Sequence, residues 1–177
     1  MVLRYWLAQA TPAKFYERHR ARRDTVYARY LGNFNILTYL IRHNDPSAMF
    51  LISTNPSKPR VFSVDNDVAF NGQVRTQDNI WNWQTILVDR LPRATVERLR
   101  AVPYERLRDA LGVLVQFDLQ NGQLVSVTPG ASIDETRGVR RSGNVVQFGL
   151  TASEIADVAS RLRRLLNDVD RQKIQVF

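Results

Sequence analysis

Five polar residues flank two short apolar runs: Asn44 and Asp45 before the first, and Asp65, Asn66 and Asp67 after the second. They lie within "RHNDPSAMFLISTNPSKPRVFSVDNDVAF", residues 42–70. Asp65 and Asp67, two residues apart at a strand end, offer carboxylate oxygens to a hard divalent ion such as Mg²⁺, which takes one or two carboxylates together with phosphate oxygens and water. Across a short gap, Asp45 would stand where a hydroxyl nucleophile needs a base or an orienting group. That layout suits phosphoryl transfer. The same residues also fit ordinary turn chemistry, because Asp and Asn side chains cap their own backbone. An EF-hand is excluded, since Ala69 and Asn71 break its order and no glutamate closes the loop.

What would bring the two acidic turns together is a hairpin. "MFLIS" and "RVFSV" are short, apolar and rich in strand formers, and "TNPSKP" between them carries two prolines and Asn55. A hairpin places its outer ends side by side, so carboxylates some 20 residues apart become neighbours. Upstream, "YLGNFNILTYLIR" sets Leu31, Phe34, Leu37, Leu40 and Ile41 near a 3.6-residue period, which predicts a mostly buried helix ending near His43. Asp45-Pro46 stops it, because the residue before a proline disfavours the α region. Residues 12–30, opening at Thr11-Pro12 and carrying Phe15, Tyr16, Tyr27 and Tyr30 among charges, read as one or two helices.

A helix, an acidic loop, a hairpin and then an aspartate in a turn resemble the catalytic core of the C-terminal lobe of the protein-kinase-like fold. "HNDPSAMFLI" looks like a diverged catalytic loop. "VFSVDNDVAF" is similar to the metal-binding segment of the atypical branch, which includes secretory-pathway, spore-coat and bacterial toxin-type serine kinases. The resemblance covers residues 28–72. It implies that Asp65, with Asp67, binds the metal, that Asn66 contacts the cofactor, and that Asn44 or Asp45 holds the catalytic acid position, with Mg²⁺ or Mn²⁺ and ATP as cofactors. The departures are specific. Met49 or Phe50 occupies the place of the family's metal-binding asparagine, no glycine-rich strand pair precedes residue 28, and Lys14 sits in a helical context. The expectation is therefore a kinase-like module that binds a divalent metal and a phosphate-bearing ligand, without complete phosphotransfer machinery.

Beyond the hairpin, "DNIWNWQTILVDRLP" has no clear period, whereas "RATVERLRAV" and "PYERLRDALG" predict two short amphipathic helices, with Pro103 at the start and Gly112 past the end of the second. "VLVQFDLQNGQLVSV" alternates around Asn121-Gly122, a strong hairpin signal. "GVRRSGNVVQFGL" adds another over Ser142-Gly143-Asn144. Its glycine-flanked arginines could seat a phosphate or simply be exposed on a plain turn. "TASE" predicts a capping box between Thr151 and Glu154. Ile155, Val158, Ala159, Leu162, Leu165, Leu166 and Val169 then form the apolar stripe of a closing helix. The expected fold is α+β in a single domain, 1–177: a mainly helical core like a kinase C-terminal lobe, a central hairpin, a small antiparallel sheet and a C-terminal helix.

The net charge of +8 comes from 25 basic residues, of which only Lys14, Lys58 and Lys173 are lysine. Arginine's planar fork suits phosphate and carboxylate, so a phosphate-bearing small molecule or an acidic protein is the expected partner. The basic clusters are dispersed and not interleaved with aromatics, so nucleic acid is possible but not favoured. The alternative function is a non-enzymatic interaction module whose basic surface meets an acidic protein or nucleic acid. The apolar runs fall short of the roughly 20 residues a membrane span needs, and the start lacks a signal peptide's pattern. No membrane partner and a cytoplasmic location are expected. With no cysteine, thiol catalysis and disulfides are excluded, and no Walker loop, dinucleotide fingerprint, H-E-x-x-H or G-x-S-x-G occurs.

Overall fold

The computed structural model of this chain describes residues 10–13, 17–43, 50–53, 60–63, 69–70, 83–133 and 139–177. Within them the chain is α+β, with five helices and sheets of three, two and four strands. It divides into two compact units, one formed by residues 1–97 with 166–177 and the other by residues 98–165. No linker-like composition marks either crossing point.

In the first unit, residues 12 and 13 end a strand, β1 (Ala10–Ala13), rather than opening a helix. β1 pairs antiparallel with β2 (Phe50–Ser53) at the edge of the sheet, a position that tolerates Pro12. Helix begins at α1 (Arg18–Arg23) and resumes in α2 (Thr25–Leu40). Asp24 separates the two and caps the second, its Oδ1 accepting the Tyr27 N–H at 2.9 Å. That bond satisfies one donor that a first turn leaves free. α2 buries Tyr27, Leu31, Phe34, Asn35, Ile36 and Thr38, but of the face expected from its period only Leu31 and Phe34 are buried, and Leu37 is 44% exposed. It stops in a Schellman arrangement: His43 N–H donates to Thr38 O at 2.9 Å and Arg42 N–H to Tyr39 O at 3.2 Å. Arg42, at φ 50°, takes the left-handed place that glycine usually fills.

β2 pairs antiparallel with β3 (Val61–Ser63), Phe50 opposite Ser63 and Ile52 opposite Val61, which is the expected hairpin. α2 packs on β3 and on β4 (Arg90–Leu91). A β-carbon on Gly32 would come 2.7 Å from Pro92 Cδ, so a glycine inside this helix permits a close approach. The irregular stretch 83–89 has no period because it is held by a side chain instead of a backbone ladder. Buried Asn35 donates through Nδ2 to Thr85 O at 2.8 Å, and its Oδ1 accepts from Leu87 N at 2.7 Å and Val88 N at 3.2 Å. Trp83 meets Phe34 edge-on, ring centres 5.1 Å apart. β4 pairs in parallel with β9 (Gln175–Val176), and Arg93 N–H extends the contact to Phe177 O at 2.8 Å.

α3 (Arg93–Arg100) straddles the division, and α4 (Tyr104–Leu111) follows Pro103 in the second unit. The hairpin of β5 (Val115–Gln120) and β6 (Gln123–Val127) turns through Asn121 at φ 50° and Gly122 at φ 77°. Two successive positive φ values match the twist of the flanking strands. β7 (Val139–Ser142) and β8 (Val145–Phe148) form the second expected hairpin, and the sheet order is β6-β5-β8-β7. α5 (Ala152–Asp170) opens with the expected capping box: Thr151 N–H donates to Glu154 Oε2 at 2.8 Å and Glu154 N–H to Thr151 Oγ1 at 3.3 Å. Its stripe buries Ile155, Val158, Ala159, Leu162 and Leu165. No described helix is long and apolar enough to cross a membrane.

Candidate functional site

The residues expected to carry chemistry, Asn44, Asp45, Asp65, Asn66 and Asp67, lie outside the described residues. What is described is their frame. Phe50 sits opposite Ser63, so β2 begins and β3 ends at the same end of the hairpin. Farther along the chain on either side, Phe70 N–H donates to Ile41 O at 2.7 Å. Among the described residues, then, Ile41 is bonded to Phe70 and Phe50 is paired with Ser63. Of the two histidines, His19 is exposed on α1 and His43 is buried at the end of α2. Among the described residues no group of three or more histidine or carboxylate side chains is placed to hold a metal ion.

A second location was not legible as a site. In the four-stranded sheet, Gln116, Gln147 and Arg140 stand opposite one another on β5, β8 and β7. Residues paired across neighbouring strands share a face, so a polar row crosses the sheet. The stretch 129–133 folds over that row and is pinned to it. Gln147 Nε2 donates to Gln116 Oε1 at 2.9 Å and Ala131 O at 2.8 Å, while Gly130 N–H donates to Gln116 Oε1 and Ile133 N–H to Gln147 Oε1. Arg140 completes the row at the end of α4. Its Nη1 donates to Gly112 O at 2.5 Å and its Nη2 to Leu150 O at 2.9 Å.

Between α4, the 129–132 stretch and the start of α5 lies a cavity of about 470 Å³, within the range of small-ligand sites. Arg140 forms part of its wall, together with Gly112, Ser132, Leu150, Ala152 and Ile155. Arg140 is 2% exposed, yet its two recorded partners are neutral carbonyls, and its Nε has no hydrogen-bond partner. The Ser132 hydroxyl is likewise buried without a partner. Two further charges line the cavity, Arg108 and Asp109, and these pair with each other at 3.3 Å. The remaining charge is the guanidinium. Gly112 O caps the end of α4, where helix carbonyls favour a cation. On the other side, α5 begins at the cavity wall with Ala152, whose end of the helix favours an anion.

Compared with known proteins, the chain matches no family model, no curated protein and no solved structure. The hairpin over residues 139–148 was read from its turn, with a phosphate rest or exposed arginines as the two uses of "GVRRSGN". Arg141 is exposed as on a plain turn, but Arg140 is among the most buried residues. The signal that could have separated them is strand alternation: two adjacent residues in a strand face opposite sides of the sheet.

Proposed function

We propose that the chain is a non-enzymatic binding module whose second unit receives a small anionic ligand in the cavity beside Arg140. One observation carries this reading: a guanidinium 2% exposed, with no carboxylate partner among the described residues and an unpartnered Nε. Burying a charge without an opposite charge costs several kcal/mol. The Gly112 and Leu150 carbonyls offset part of that cost, and an anion would offset more. Arginine's fork suits carboxylate and phosphate alike. This reading keeps the phosphate-bearing or acidic partner expected from the arginine-rich composition, and a cytoplasmic setting with it.

The test is thermal unfolding of the intact chain with sodium phosphate, acetate, phenylacetate and phenyl phosphate, each against chloride at equal ionic strength. A ligand at a hundred times its Kd adds about 2.7 kcal/mol of stability. Protection by at least one of these anions, lost in Ala152→Phe, supports the reading. Ala152 is exposed at the first position of α5 and lines the cavity, so the variant fills the space without touching the Arg140 hydrogen bonds. Protection by none of them, or protection undiminished in Ala152→Phe, overturns it.

A second reading keeps the resemblance to the kinase-like fold: Asp65 and Asp67 hold Mg²⁺ or Mn²⁺, Asn66 contacts ATP, and Asn44 or Asp45 faces the transferred group. It is favoured by the two ties that bracket these residues, Phe50 opposite Ser63 and Phe70 bonded to Ile41. Stabilisation that needs Mn²⁺ and ATP together and disappears in Asp65→Ala is its expected outcome. Equal stabilisation of Asp65→Ala and the parent chain would remove it.

A further inference from the structure

The cavity's size and charge say more about its ligand than that it is anionic. A cavity of about 470 Å³ is of the size that takes a small organic ligand. An inorganic anion bound to Arg140 would leave most of that space to solvent. The wall beyond the guanidinium mixes polar and apolar groups, and its apolar part is Val113, Pro129, Leu150 and Ile155, joined by half-exposed Tyr104 from α4. The charge is equally specific. Arg108 and Asp109 offset each other, which leaves the single positive charge of Arg140. One cation is matched by one negative charge, and a second negative charge would find no cation in the wall that is not already paired.

Resting on the proposed binding role, we infer that the ligand is a monocarboxylate with a compact apolar body, aromatic or branched aliphatic. Its carboxylate accepts from the guanidinium of Arg140, which has hydrogens left after serving two carbonyls. Ser132, whose hydroxyl is buried without a partner, also lines the cavity. The body lies on Leu150 and Ile155, where each methylene-sized unit withdrawn from water adds to affinity. Polyphosphates and nucleotides do not suit this cavity, because their several charges would meet only one cation.

Four probes separate charge from body in the unfolding titration: acetate and phenylacetate carry one charge, without and with a ring, and inorganic phosphate and phenyl phosphate carry up to two. The expected result is half-maximal protection by phenylacetate at a concentration at least tenfold below that of each of the other three, lost in Ala152→Phe. A ring adds enough buried apolar area for a tenfold difference. Arg140→Gln should abolish the protection by phenylacetate; if that variant fails to fold, Ala152→Phe alone decides. If inorganic phosphate or phenyl phosphate protects as well as phenylacetate, the carboxylate assignment falls and the anion-binding role stands. Equal protection by acetate and phenylacetate removes the apolar body. With no protection from any probe, both readings fall.

Discussion

Gly149 passes so close to Gly112 that no β-carbon fits between them: one built on Gly149 would collide with the Gly112 carbonyl. Hydrogen bonds on either side enforce the approach, Leu114 N–H to Phe148 O at 2.7 Å and Leu150 N–H to Leu111 O at 2.8 Å. The same Gly112 carbonyl accepts from Arg140. Gly149→Ala must therefore push the end of α4 away from β8, at a cost of about 1–3 kcal/mol in urea unfolding. Gly130→Ala is the control, because its β-carbon would meet only Gln116 Oε1 at 3.4 Å. A loss no larger than that of the control would show that this approach is loose.

Asn35 does for residues 85–88 what a strand partner would do. Asn35→Leu keeps the number and branching of the side-chain heavy atoms and removes the groups bonded to Thr85 O, Leu87 N and Val88 N. Leaving buried donors without an acceptor costs about 1–3 kcal/mol each, so a total loss of about 2–4 kcal/mol is expected. Hydrogen exchange reads it directly. The Leu87 and Val88 amides should lose protection in the variant, whereas intact protection would mean that other contacts hold this stretch.

Two helices end on residues that a left-handed backbone does not favour, Arg42 at φ 50° and Gln172 at φ 57°. In the second, Lys173 N–H donates to Asp168 O and Gln172 N–H to Val169 O, both at 2.9 Å, repeating the arrangement at the end of α2. Arg42→Gly and Gln172→Gly should each stabilise the chain by about 0.5–1 kcal/mol, since glycine takes positive φ without strain. A destabilising result at either site would point to a contact of the replaced side chain that matters more than its backbone.

The capping box at α5 is a conventional one, so its removal has a conventional size. Thr151→Ala should cost about 1 kcal/mol. Glu154→Gln should cost less, because a glutamine oxygen can still accept from the Thr151 N–H that now bonds Glu154 Oε2. Equilibrium unfolding of the two variants beside the parent gives both numbers, and a cost of Glu154→Gln equal to or above that of Thr151→Ala would contradict this assignment.

Where local chemistry governs, the chain reads well from its residues. The Asn121-Gly122 turn, the Thr151–Glu154 box, the two short helices after Leu91 and the hairpin over 50–63 all follow from side chains within a few positions of one another. The illegible parts depend on partners far along the chain. Residues 83–89 show no period because Asn35, some fifty positions earlier, holds them. Pro12 and Ala13 of β1 fall in the stretch expected to be helical, because the pairing with β2 depends on residues some forty positions away. The cavity is hidden for a different reason. On β5, alternation by itself would put Val115 and Phe117 against a core, yet the covered face carries Gln116, while Val115 and Phe148 are 39% and 38% exposed. A buried polar row inverts the usual pattern, so Arg140 looked like one more surface charge.

The parallel pair of β4 and β9 has a meaning for synthesis. Leu91 waits for Val176, 85 residues downstream, and at ribosomal rates of roughly 5–20 residues per second that is a delay on the order of 4–17 seconds. Residues 98–165 are contiguous and are complete before that partner is made. The first unit therefore closes only with residues near position 176, whereas the residues that line the cavity all come from one continuous stretch.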